Sequence, residues 1–119
     1  MGASRIVTTR KLTSTDAFVV VDLPDAPAAG IVRSAPKLLV DGATWLARSQ
    51  TYQFAAFGRK VSGASAGVNS PPDARAEAVA AFVGEVEPEA AAGTLLLEAG
   101  RGVGPDDLAA LRAVDPRPA

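Results

Sequence analysis

Leu38-Leu39-Val40-Asp41-Gly42-Ala43-Thr44-Trp45-Leu46-Ala47-Arg48-Ser49-Gln50-Thr51-Tyr52-Gln53-Phe54-Ala55-Ala56-Phe57-Gly58 is followed, after Arg59 and Lys60, by Val61-Ser62-Gly63-Ala64-Ser65-Ala66-Gly67-Val68. In the first stretch Leu39, Ala43, Leu46, Gln50, Phe54 and Phe57 recur at the spacing of one helical stripe, which predicts a long helix from Leu38 to about Phe57. Gly58 stands where a left-handed cap ends such a helix, with Arg59 and Lys60 beside its negative end. The second stretch is small and glycine-rich and closes on Asn69-Ser70-Pro71-Pro72, so it reads as a short strand and turn against which something packs closely.

Upstream, Ile6 to Thr9 and Ala17 to Leu23 are rich in β-branched residues, and Ser14, Thr15 and Asp16 between them make a turn. A hairpin is expected there. Gly30-Ile31-Val32-Arg33 reads as a third strand, stopped by Pro36, and the sheet up to this point is expected to be antiparallel. Downstream, a second helix is predicted from about Pro72 to Val86, with Arg75, Val79, Phe82, Val83 and Val86 on one face and Pro88 ending it. Thr94 to Leu97 reads as a short strand. After the loop Gly100-Arg101-Gly102-Val103-Gly104, a short helix is expected with Pro105 at its first position, Asp106 and Asp107 in the first turn, and Leu108 and Leu111 inward. Strands followed by alternating helix and strand predict an α/β fold: a three-layer mixed sheet with helices on its faces. Residues 1–114 form one domain on this reading, and Asp115-Pro116-Arg117-Pro118-Ala119 a proline-rich linker or tail.

Composition narrows the chemistry. Of the 119 residues 48% are hydrophobic and 21% charged, an ordinary globular balance, and the formal charge of −1 provides no field to recruit nucleic acid or a membrane surface. Cysteine and histidine are both absent, which removes disulfides, thiolate and imidazole metal ligands, and any Ser-His or Cys-His nucleophile pair. Apolar runs such as Ala17 to Val21 are too short to span a bilayer, so the cytoplasm is the expected compartment. Because the apolar content is mostly Ala and Val, large residues such as Trp45 are expected to carry much of the packing, and loss of Trp45 to be harmful.

Several stretches invite a functional reading beside a plainer one. The loop Gly100 to Gly104 before a helix has the outline of a phosphate cradle, but Asp106 and Asp107 would repel a phosphate and the spacing fits neither nucleotide fingerprint, so a strand-to-helix turn is preferred. The small residues of Ser62 to Gly67 leave room either for a ligand or for a helix lying close. Arg33, at a strand end, can clamp a carboxylate or sit solvated on the surface. Ser49, Thr51, Tyr52 and Gln53 could supply polar pocket contacts, though none has a base to activate it.

Four of these segments, in register, carry a resemblance. Pro27-Ala28-Ala29-Gly30-Ile31-Val32-Arg33 resembles a Gly-Gly-x-Arg strand, and Ala47 to Gln53 resembles an Ala-Arg-x-Met-Thr-Tyr-Lys helix. Val61 to Val68 resembles a Phe-Gly-Gly-Ala-Lys-Gly-Gly-Val turn, and Glu98 to Pro105 an Ala-Asp-x-Gly-Thr segment. Together they are similar to the substrate and dimerisation domain of the glutamate/leucine/phenylalanine/valine dehydrogenase family, over roughly Pro27 to Leu111. The resemblance implies a homo-oligomer, an amino acid or 2-oxo acid as ligand, and NAD or NADP held by a following Rossmann domain rather than by this chain, which itself carries no cofactor on this reading. The terminal prolines fall where such a chain would continue, so a truncated piece is expected.

The departures bear on chemistry. The family's carboxylate-holding lysine corresponds to Gln53, its catalytic lysine to Ser65, and its proton-relaying aspartate to Gly100. A serine without a base cannot stand in for a lysine as acid or base near neutral pH. No catalytic residue is therefore assigned. The expected function is a substrate-binding and dimerisation domain of an inactive pseudoenzyme or fragment, with Gly30, Arg33, Gln53 and Ser65 as substrate-binding candidates, Gly100 beside them, and Arg33 as the anion contact. The alternative is an oligomerisation module with no ligand.

Overall fold

A computed structural model describes residues 7–23, 26–56, 58 and 61–116. The strands are β1 (Thr8–Lys11), β2 (Ala17–Val21), β3 (Ala28–Ala35), β4 (Ser62–Asn69) and β5 (Leu95–Ala99), and the helices are α1 (Val40–Ala56), α2 (Arg75–Ala92) and α3 (Ala109–Val114). Single turns of 3-10 helix, Pro72–Ala74 and Pro105–Leu108, lead into α2 and α3. The five strands form one mixed sheet in the order β1-β2-β4-β3-β5. Residues 1–6, 24, 25, 57, 59, 60 and 117–119 lie outside the description, which takes in Ile6, Phe57, Arg59, Lys60 and the end of the C-terminal tail.

The hairpin forms as expected, with β1 and β2 antiparallel and Lys11 opposite Phe18. The antiparallel expectation fails at β3. That strand does not join β2; it runs parallel to β4 on one side and to β5 on the other. The reason is α1: a helix of 17 residues returns the chain to the starting edge, so the strand after it lies parallel to the strand before it. β4, the glycine-rich segment, then becomes the centre of the sheet, paired with β2 and β3.

Helices cover both faces, giving the three layers. On one side Val79, Phe82, Val83, Val86 and Ala90 of α2 and Leu111 of α3 pack on Val19, Val32, Ala64, Ala66, Val68, Leu95 and Leu97. On the other, Ala43 and Ala47 of α1 pack on Phe18 and Val20. Where α1 crosses β4 the backbones meet: a β-carbon at Gly63 would overlap the Ala47 carbonyl. The buried Thr51 hydroxyl accepts a hydrogen bond from Gly63 N at 2.7 Å and donates to Ala47 O at 3.2 Å. Thus the small residues of β4 admit a helix. Such an approach leaves no room beneath α1 for bulk, and Trp45, expected in the core, points outward with 74% of its surface exposed.

Pro88 does not end α2, which continues to Ala92. Its last turn is held from below and beyond: Ala90 is buried, Gly93 takes the left-handed conformation at φ 75°, and Thr94 N donates to Glu89 O at 3.1 Å. These contacts offset the hydrogen bond that proline cannot give. Gly58 takes the left-handed cap position foreseen for it, at φ 74°. The β1–β2 turn is latched to α2 by Glu85, whose carboxylate accepts from Ser14 Oγ at 2.6 Å, Ser14 N at 2.8 Å and Thr13 N at 3.1 Å. The hydroxyl of Ser14 first, and its amide next, hold that carboxyl below the usual carboxylate range. Among the described residues no helix is long and apolar enough to cross a membrane.

If the α1–β4 seam carries the fold, Gly63→Ala costs roughly 1–3 kcal/mol or more through overpacking, while Trp45→Ala stays within about 0.5 kcal/mol as an exposed substitution. Urea unfolding followed by circular dichroism measures both, and equal losses would place the seam elsewhere.

Candidate functional site

Register places side chains of β2, β4, β3 and β5 in rows on the face toward α1. Gly63, Ala29 and Leu96 make the first row. Val20, Ser65, Ile31 and Glu98 make the second, and Phe18, Gly67 and Arg33 the third. α1 lies over the β2–β4 half of these rows and leaves the β3–β5 half uncovered, so that Ile31 in mid-sheet keeps 37% of its surface exposed. Between the flank of α1 and the bare strands runs a groove of about 400 Å³. Its walls are Gln50 and Phe54 of α1 and Ala29, Ile31, Leu96 and Glu98 of the sheet.

Of the helical stripe expected from the sequence, Gln50 and Phe54 form one wall of this groove. Ala43 marks the edge of the stripe that packs on the sheet, while Gln50 and Phe54 hang over the groove. Leu46, one turn before Gln50, stays exposed. Arg48, on the opposite flank of α1, turns to the buried Asp22 at 3.8 Å. Gln50 is therefore the one carboxamide in an apolar stripe, a signal present in the sequence but not taken as a site.

The candidate residues fall as follows. Ser65 is 1% exposed in the second row, and its Oγ has no hydrogen-bond partner. Arg33, two residues along β3 from Ile31, is half-buried, and its Nε is out of solvent and also without a hydrogen-bond partner. Gly100 packs between the two, since a β-carbon there would overlap Ile31 Cγ2 and stand 3.2 Å from Arg33 Cγ. Gly30 contributes backbone to the groove and lies so close to β4 that a β-carbon would overlap the Ala64 carbonyl. Gln53 is exposed and is not among the groove residues; Gln50, one turn earlier, is. Of the other polar residues considered on α1, Thr51 is spent on Gly63, and Ser49 and Tyr52 are exposed. Gln50, Phe54, Leu96 and Glu98 were not legible as groove residues before the topology was known.

The polar inventory is short. Gln50 Oε1 is buried with no hydrogen-bond partner. Glu98 sits at the rim, where Arg112 NH1 stands 3.8 Å from its carboxylate across an exposed gap. Elsewhere Arg10 pairs with Glu89 at 2.6 Å and Arg75 with Asp107 at 3.0 Å. Arg33 alone among the partly buried arginines described has no carboxylate within ion-pair range. The glycine loop offers no second site: Gly104 N donates to Asp107 Oδ2 at 2.7 Å, and Arg75 donates to Asp107 and to Gly102 O, both at 3.0 Å. The hydrogen bond from Gly104 and then that from Arg75 hold the Asp107 carboxyl below its usual range. That loop is a strand-to-helix turn closed by its own residues.

No family model and no curated protein sequence matches the chain. Solved structures do. The L-tryptophan dehydrogenase of Nostoc punctiforme superposes with a TM-score of 0.68 at 18% identity, over 91% of this chain and 34% of that one. The hetero-hexameric glutamate dehydrogenase of Thermus thermophilus, in its Leu-bound form, gives 0.70 at 20% identity, over 92% and 30%. A further glutamate dehydrogenase gives 0.65 at 14% identity, over 92% and 28%. The chain thus has the fold of one domain of the amino-acid dehydrogenases and spans about a third of their length.

An aspartate placed at position 100 conflicts with Ile31. Gly100→Asp alone is expected to cost roughly 1–3 kcal/mol, and Ile31→Ala in the same chain to relieve a measurable part of that cost. A thermal-denaturation double-mutant cycle with no coupling between the two positions would show that they do not share the space.

Proposed function

We propose that this chain is a substrate-binding domain of amino-acid-dehydrogenase type that keeps the ligand groove and has lost the groups for chemistry. The observation that carries the reading is Arg33, a half-buried guanidinium with no ion-pair partner, two residues along β3 from Ile31 in the wall of an apolar groove that Arg33 itself does not line. Leaving a desolvated charge unpaired is costly, and an anionic ligand would offset that cost. An amino acid or 2-oxo acid supplies the carboxylate.

Chemistry is a different matter. Hydride transfer requires a nicotinamide held over the substrate carbon, and the residues described do not fit a dinucleotide: the one glycine loop before a helix is closed by Asp107 and preceded by no free amide cradle. The position of the resembled lysine holds Ser65, which lacks any base nearby to draw its proton. The chain itself therefore binds and orients at most; NAD or NADP would belong to another domain.

A second reading rests on the outer side of α1. Trp45 (74% exposed) and Tyr52 (58%) stand two turns apart there, with Leu39 (68%) at the helix entry. An assembly module, in which this face meets another subunit, accounts for such exposed apolar surface. A homo-oligomer fits both readings.

A thermal-shift series with amino acids and 2-oxo acids, run beside sedimentation on dilution, separates them. A ligand that binds only the folded chain raises its melting temperature in proportion to its occupancy. Stabilisation by an amino acid or 2-oxo acid, without any reduction of NAD or NADP, is the expected result. A flat series with an oligomer that persists on dilution, and dissociates in Trp45→Ala, would establish the assembly module instead.

A further inference from the structure

We infer that α1 pairs antiparallel with α1 of a second copy of this chain, each aromatic side chain of its outer face seated against a small residue of the partner. This pairing rests on the reading of that face as an assembly surface, and the groove plays no part in it.

The inner face of α1 fixes the outer one. Ala43, Ala47 and Thr51 are buried toward the sheet, and Gln50 and Phe54 line the groove. On the far side stand Gly42, Trp45, Ser49 and Tyr52, all exposed and spaced by three, four and three residues. That is the spacing of a helix–helix seam, and here it alternates small with large. Gly42 is an open hole, since a β-carbon there would meet nothing within 4 Å. Turned end for end against itself about the level of Ala47, the series sets Trp45 opposite the partner's Ser49 and Tyr52 opposite the partner's Gly42. Every layer of the seam then holds one large and one small residue. A two-fold interface has to be complementary to itself, because one patch serves both copies. The antiparallel pairing meets that condition, whereas a parallel one would set Trp45 on Trp45 and Gly42 on Gly42.

Charge and area agree with a covered face. The 17 residues of α1 include two charged ones, Asp41 and Arg48, against five in the 18 residues of α2. Arg48 borders the seam but turns to the buried Asp22 at 3.8 Å, which draws its charge toward its own chain. The solvent side of a helix ordinarily carries charge; a side poor in charge and bearing Trp and Tyr has the composition of an interface centre. Leu46 and Leu39, both exposed, extend the apolar surface beside Trp45 and at the helix entry. On a scale of about 150–250 Å² for a whole aromatic side chain, covering these four large residues removes roughly 500 Å² from each copy. About 1,000 Å² for the pair reaches the lower limit of specific interfaces.

Sedimentation equilibrium of the whole chain over a concentration series tests the pairing. The unaltered chain reaches twice its 12.1 kDa mass. Ser49→Glu, which sets a charge against the partner's Trp45, and Trp45→Lys, which removes that aromatic, each weaken the dimer at least about tenfold. Both positions are exposed, and circular dichroism checks that the variants fold. Mixed in equal amounts, the two variants dimerise again, because the introduced glutamate of one copy faces the introduced lysine of the other while the second layer keeps its native Trp45 and Ser49. Variants that dissociate singly and stay monomeric when mixed would overturn the antiparallel register while leaving α1 an assembly face. A dimer that neither substitution weakens would place the contact on another surface and overturn the pairing. A monomer at every concentration would remove the assembly reading itself, and this inference with it.

Discussion

The approach of α1 to β4 at Gly63 sets the rest of the structure. One hydrogen bond, from Gly63 N to the Thr51 hydroxyl, and one backbone contact, Gly63 against Ala47, fix the height and position of a 17-residue helix over the sheet. A helix that close can use only small residues at the seam, hence Ala43 and Ala47, and it must put its bulk to the side or outward. Because the seam lies over β4 rather than over the middle of the β3–β5 pair, half of one sheet face is left bare. The groove is the consequence of where the helix is pinned.

The opposite face shows what the sheet looks like when it is covered. There α2 and α3 bury Phe82, Val83, Val86 and Leu111 against a continuous apolar layer, and their polar ends are tied off by Glu85 at the hairpin and Asp107 at the glycine loop. On the α1 side Ser65 Oγ, Gln50 Oε1 and Arg33 Nε are buried without a hydrogen-bond partner in the chain.

The fold is that of one domain of the amino-acid dehydrogenases, with identities of 14% to 20%. At such distance the frame is shared and the site has to be argued from its own residues. Gly100 illustrates the point. Ile31 fills the space that a side chain at that position would need.

Much of this was written in the sequence. Helical period gave α1 and the buried face of α2, turn residues gave the hairpin, and Gly58 gave the left-handed cap, because each depends on residues within a turn or two of one another. Arg33 was a candidate from residue type and its place at a strand end, and Ser65 only from the resemblance. What local pattern could not decide was which strand lies beside which. The parallel placement of β3 between β4 and β5, the outward turn of Trp45, the survival of α2 past Pro88, and the choice of Gln50 over Gln53 all depend on contacts between residues far apart in the chain. Of the stripe expected on α1 only Ala43 is buried, beside Ala47 and Thr51, while Leu39 and Leu46 stay exposed: periodicity shows that a helix has an apolar side, and only the tertiary packing determines how much of that side the chain covers for itself.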